Sequence, residues 1–123
     1  MKTLTLITTF LFYSIISFAG NEVPIDSVIN YVGKSVTVCA KVFGSKTFEK
    51  VTLLNLGAKH PDNPLTVAIQ DKDRANFSLP PDQLFTDKLV CITGMVKLYK
   101  GKAEIVISKP EEIVIKEERP AGK

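Results

Sequence analysis

The sequence has little of what catalytic and strongly electrostatic proteins usually display. Histidine occurs once, at His60, and cysteine twice, at Cys39 and Cys91. A lone histidine beside Pro61 in a loop reads as a solvent-facing side chain, and no other residues of metal-ligand spacing accompany it. The cysteines are far apart and form no Cys-x-x-Cys unit, which removes a dithiol redox centre. Phosphodiester hydrolysis needs a cation clamp and a carboxylate to position water. Asp71 and Asp73 fall at a strand end with Lys72 and Arg74 interleaved, and nothing completes such a set. The chain reads as a non-enzyme without a cofactor. Charge of one sign is also scarce: 16 basic against 13 acidic residues leave a formal +3, far from the footprint of a strongly basic nucleic-acid module.

What is present begins at the N-terminus. Lys2 gives a short positive start, Leu4 to Phe18 carry no charge, and Ser17-Phe18-Ala19 offers small residues where a signal peptidase reads. The apolar stretch is short for a bilayer span and lacks a cationic stop. No cysteine lies there to receive a lipid. The expectation is a cleaved signal peptide over 1–19, one domain over 20–116 and a charged, Pro- and Gly-containing tail over 117–123. Such a product is periplasmic or secreted, with no membrane span in the mature chain.

Two phrases repeat a strand pattern: Gly33 to Val42 and Asp87 to Val96 each open on a turn residue and a lysine, then alternate apolar with polar or small side chains. The second runs on through Lys97 to Ile107 as a hairpin closed near Lys100-Gly101. Further strands are expected over Phe48 to Leu56 and Leu65 to Gln70, with a last extended piece at Ile113-Val114-Ile115. Asp26 is expected to cap a brief helix over Ser27 to Tyr31, ended by Gly33. Helical turns are expected over Asp73 to Phe77 and Pro80 to Phe85. Five strands with a helical segment between the third and fourth give the order of an OB-fold, a partly open Greek-key barrel. The fold class is therefore all-β with short helices, a five-stranded OB-fold barrel. In that order the first and fourth strands are neighbours, and both cysteines point outward from them. They can pair in an oxidising compartment or stay two partly buried free thiols.

The stretch from about Val23 to Ile115 resembles a family of small exported bacterial OB-fold proteins, related to the tRNA-anticodon-binding-like OB domains. The resemblance is carried by Val32 to Val38, Thr52 to Gly57, Pro61, Thr66 to Ile69, Pro81-Asp82, Val90 to Gly94, Leu98 to Gly101, Ala103 to Ile107 and Pro110. It implies nucleic-acid binding by analogy of fold.

An OB-fold reads single strands with the outer face of its second and third strands and the loops joining strands one to two and four to five. Aromatics stack bases and cations follow phosphates. Those addresses here hold Lys46, Phe48 and Lys50, then Tyr99, Lys100 and Lys102, with Lys59 and His60 from the loop between strands two and three. These eight residues are the candidate ligand-binding set. Taken singly, Phe43 and Phe48 are expected to complete the core and Tyr99 to pack beside its turn. Two functions follow. The first is an exported module binding a single-stranded nucleic acid or another anionic polymer, with lysines converging on one groove. The second is a non-catalytic envelope module meeting a protein partner, with scattered lysines, buried aromatics and an uncharged patch around Leu53, Ala68 and Met95.

Overall fold

The structure is a computed structural model that describes residues 22–116. The expected signal peptide, 1–19, and the expected tail, 117–123, lie outside the described residues. Alternation of apolar and polar side chains builds the sheet. β1 (Ser35–Thr47), β2 (Val51–Leu56), β3 (Leu65–Gln70) and β4 (Leu89–Met95) bury every second residue over most of their length. Two short helices, α1 (Asp71–Arg74) and α2 (Pro81–Phe85), separate β3 from β4, the second with proline in its first turn. β5 (Lys97–Tyr99) and β6 (Lys102–Val106) form the expected hairpin. Its turn residues Lys100 (φ 50°) and Gly101 (φ 80°) are both left-handed, as a two-residue turn matching strand twist requires. β7 (Ile113–Ile115) ends the described chain. The helix before β1 is a 3-10 helix, Ile25–Tyr31, and Asp26 does not cap it: Pro24 holds the N-cap and makes no side-chain bond.

The strands form one sheet in the order β5-β6-β3-β2-β1-β4-β7. All pairs are antiparallel except β3 with β6. Mixed pairing with a helical insertion between the third and fourth strands matches the expected fold. The five-strand count does not hold, because two three-residue strands, β5 and β7, extend the sheet at its ends. Nor does the ladder close. β7 occupies an edge of β4, pairing Val90 with Ile115 and Ile92 with Ile113, where closure would need another neighbour.

β1 is longer than its repeated phrase suggests because it serves two partners. Residues Ser35 to Lys41 pair with β4, and Val42 to Thr47 pair with β2. The register slips between Val42 and Gly44, a bulge that bends the strand and turns the sheet around its own core. That core is almost wholly aliphatic: Val36, Val38, Val42, Leu54, Leu56, Val67, Ile69, Ile92 and Ile105 are fully buried or nearly so. Its aromatic members are Phe77 and Phe85, in edge-to-face contact at 5.8 Å. Phe43 and Phe48 do not complete it. They stand 37% and 44% exposed, because the bulge and the turn that follows carry both outward.

Two constraints hold the wall formed by β1, β4 and β6. Cys39 and Cys91 face each other in the β1–β4 ladder, Cα atoms 4.0 Å apart, and are joined by a disulfide. Gly94 lets β4 lie close to β6, since a Cβ there would meet Ile105 Cγ2 at 2.7 Å. Replacing both cysteines by alanine is expected to lower unfolding free energy by about 2–4 kcal/mol, mainly by freeing the unfolded chain. Denaturant melts of the double variant beside the oxidised wild type measure it. Gly94→Ala is expected to cost about 1–3 kcal/mol through overpacking, read in the same melts.

Candidate functional site

Strand registers decide which side chains share the outer face. Gly44, Asn55, Thr66, Glu104 and Lys97 fall in one row across β1, β2, β3, β6 and β5. Lys46, Leu53, Ala68 and Val106 form the next row, two residues along each strand. Residues that differ by two share a face, so both rows lie opposite the core residues Leu54, Val67 and Ile105. One row is polar and charged apart from Gly44 at its end, and the other is aliphatic except for Lys46 at its end.

A groove of about 720 Å³ runs over these rows. Leu53, Ala68 and Val106 form its floor, with Ala68 sunk to 5% exposure between larger neighbours. Lys50 and Asp71 stand beside the start of β2 and the end of β3, where the Asp71 amide donates to the Lys50 carbonyl at 2.9 Å. The β5–β6 hairpin contributes Tyr99, Lys100 and Lys102, and the β2–β3 loop contributes His60 and Pro61. These two segments are tied together by the Lys102 ammonium, which donates to the Pro61 carbonyl. Asn63, buried at 4% exposure, fixes the loop from beneath: its amide nitrogen donates to the Leu65 carbonyl and to Thr66 Oγ1, each at 2.9 Å.

Of the eight residues expected from sequence, the groove gathers Lys50, His60, Tyr99, Lys100 and Lys102. Lys46 shares the aliphatic row without lining the groove. Phe48 lies outside it at the β1–β2 turn, with Lys46 Nζ 5.1 Å from its ring centre and its carbonyl accepting from Arg74. Lys59 is exposed and also outside the lining. Tyr99 is not packed away beside its turn; it is 55% exposed, with Lys100 Nζ 5.4 Å from its ring centre. Among the described residues no group of three or more His, Cys, Asp or Glu side chains lies close enough to hold a metal ion. No described helix is long and apolar enough to cross a membrane.

Glu104 was not legible as a site residue. In sequence it is one polar position in an alternating strand, and only the parallel pairing of β6 with β3 brings it beside Thr66. Its carboxyl is held above the ordinary 4.5 because partial burial disfavours the charge, with Lys97 pulling the other way. The folded state thus binds this proton more tightly than the unfolded chain. The resulting stability is present below the unfolded pKa and is lost as pH rises through the folded pKa. Side-chain carbon NMR of Glu104 should show a midpoint above 4.5, and Lys97→Ala should move it higher. A downward move would mean that Lys97 does not act on this carboxylate.

No family model matches this sequence, and no curated protein matches it closely. Solved structures do share its fold. Aspartyl tRNA synthetase from Entamoeba histolytica superposes with a TM-score of 0.57 at 17% identity, over 80% of this chain and 22% of that one. Asparaginyl-tRNA synthetase from Pyrococcus horikoshii gives 0.54 at 16% identity, over 77% and 23%. The chain therefore spans less than a quarter of the length of these synthetases. An OBody bound to hen egg-white lysozyme gives 0.50 at 19% identity, over 74% of this chain and 88% of that one. Together with the mixed sheet and its helical insertion, these likenesses establish the architecture: residues 22–116 adopt an OB-fold with an open, seven-stranded sheet.

Proposed function

We propose that this chain is an exported OB-fold binding module, without catalytic turnover, whose groove takes a single-stranded nucleic acid or another anionic polymer. The observation that carries the reading is the convergence of Lys50, Lys100 and Lys102 with an exposed Tyr99 around one groove. The cations can follow a line of phosphates while the phenol ring offers a stacking face. The tRNA synthetases among the structural neighbours favour a nucleic-acid ligand over other polyanions. Export is supported by the Cys39–Cys91 disulfide and by the uncharged stretch after Lys2. On this reading 1–19 is removed, 20–116 is the binding domain and 117–123 is a tail.

A second reading has a specific observation in its favour. The aliphatic row Leu53, Ala68 and Val106 can receive apolar side chains of a protein partner, and the lysozyme-bound OBody shows a protein of like fold in a protein complex. The wider patch expected for that role is not continuous, since Met95, on β4, pairs with Ser35 of β1 and lies outside the groove lining. Lys50, Lys100 and Lys102 are gathered on one groove, although Lys46 and Lys59 are not, which favours the first reading.

The test is fluorescence anisotropy of a labelled single-stranded oligonucleotide against the mature chain at several salt concentrations. Affinity should fall with salt, and Lys100→Ala and Lys102→Ala should each reduce the log–log slope by about 0.7–1. Lys59→Ala, outside the groove, should change it less. Absence of binding at low salt, where screening is weakest, would overturn the nucleic-acid reading and direct attention to a protein partner.

A further inference from the structure

We infer that Glu104 is a specificity-determining residue that makes the groove select a single strand presenting guanine, whose base edge carries two adjacent N–H donors. The inference rests on the nucleic-acid reading of the groove and adds which part of the ligand faces which row.

Glu104 is an acidic side chain on the sheet among lysines, with Asp71 the other carboxylate of the lining. Phosphates are repelled by Glu104 and attracted by Lys50, Lys100 and Lys102, all of which line the same groove. The backbone of a bound strand is therefore held at the lysine rim, and its bases turn toward the sheet. There they meet Asn55, Thr66 and Glu104, side by side on β2, β3 and β6, with the aliphatic row two residues further along each strand. Three strands at about 4.8 Å spacing make a strip roughly 10 Å wide, the dimension of a base. Leu53, Ala68 and Val106 supply apolar contact for a ring face or sugar but carry no hydrogen-bonding side-chain atoms.

The reading edge follows from donor and acceptor counting. An ionised carboxylate only accepts, through two oxygens. Guanine N1–H and N2–H lie next to each other and can satisfy both. Cytosine and adenine present one amino donor beside a ring acceptor, which faces a carboxylate oxygen unfavourably. Thymine presents a single N–H between two carbonyls. Single strands expose these edges for such contacts, as duplexes do not. Asn63 supports the strip by donating to Thr66 Oγ1, which leaves that hydroxyl free to donate toward the groove. Burial raises the pKa of the Glu104 carboxyl, and Lys97, its cross-strand partner, works against that rise.

The experiment uses thymine octamers with one central position changed to guanine, cytosine or adenine, titrated by anisotropy at low salt and neutral pH. Wild type should bind the guanine-bearing octamer about 5- to 100-fold tighter than the all-thymine one. Glu104→Gln removes one acceptor and one negative charge. It should bind thymine octamer somewhat more tightly, while the guanine preference collapses to about twofold or less. Glu104→Asp keeps the charge but draws it back by one methylene, and should retain part of the preference. Octamers bound without a base preference in wild type, or a preference that survives in Glu104→Gln, would overturn the role of Glu104 and leave the groove reading standing. Failure of every octamer to bind would overturn both.

Discussion

The bend in β1 is the constraint on which the rest of the molecule depends. A straight strand of that length could pair with β4 or with β2 along its whole course, giving a flat sheet with two exposed faces. The slip between Val42 and Gly44 divides it between the two partners, so one strand begins both halves of the curled sheet. Curling gathers the alternate aliphatic side chains of β1 to β4 and β6 around a single core. It also leaves the other face of β2, β3 and β6 outward, where the β5–β6 hairpin and the β2–β3 loop wall the groove. Core and groove are thus two sides of the same alternation, and the bulge decides which is which.

The groove combines terms that oppose one another. Its floor is apolar and its rim is cationic, while Asp71 and Glu104 bring negative charge among the lysines. A net positive rim attracts any polyanion and by itself discriminates poorly, because screened Coulomb attraction is insensitive to the shape of the ligand. Acidic groups within such a rim weaken that attraction and return something in exchange: they fix where phosphates cannot lie. Attraction then sets the rate and strength of encounter, and local repulsion sets orientation. Lys102 contributes to both, since its bond to the Pro61 carbonyl holds the hairpin against the β2–β3 loop and fixes the shape of the groove end.

Much of this architecture was legible in the sequence, and the exceptions have physical causes. Period-two alternation located β1, β2, β3 and β4, and Lys100-Gly101 marked the hairpin. The first-to-fourth strand adjacency put Cys39 opposite Cys91, where the disulfide is found. The pieces that became β5 and β7 were legible as the start of the hairpin and as a last extended piece; the count of five differs because three residues carry too little periodicity to mark them as separate strands of the sheet. The exposure of Phe43 and Phe48 was missed because a bulge changes which face a residue occupies and leaves no mark in the alternation. In the site, lysines and Tyr99 were legible from their loops, since a loop's position is set by the fold order. The rows on the sheet were not. Asn55, Thr66 and Glu104 share a row only through a parallel register between strands separated by more than thirty residues of chain, and register is a property of packing.

The placement of the disulfide completes the logic of the fold. It joins β1 to β4, whereas the groove spans β2, β3 and β6, on the other side of β1 in the sheet order. No groove residue is covalently tied by it. β1 and β4 are cross-linked, and the groove strands and the loop beside them are held by ladder hydrogen bonds, by Asn63 and by Lys102. Such bonds are individually worth about 1 kcal/mol and permit small adjustments of the hairpin and loop. A covalent tie within β2, β3 or β6 would forbid them. The cross-link is therefore confined to β1 and β4, while the junction of the hairpin and the β2–β3 loop is held by hydrogen bonds alone.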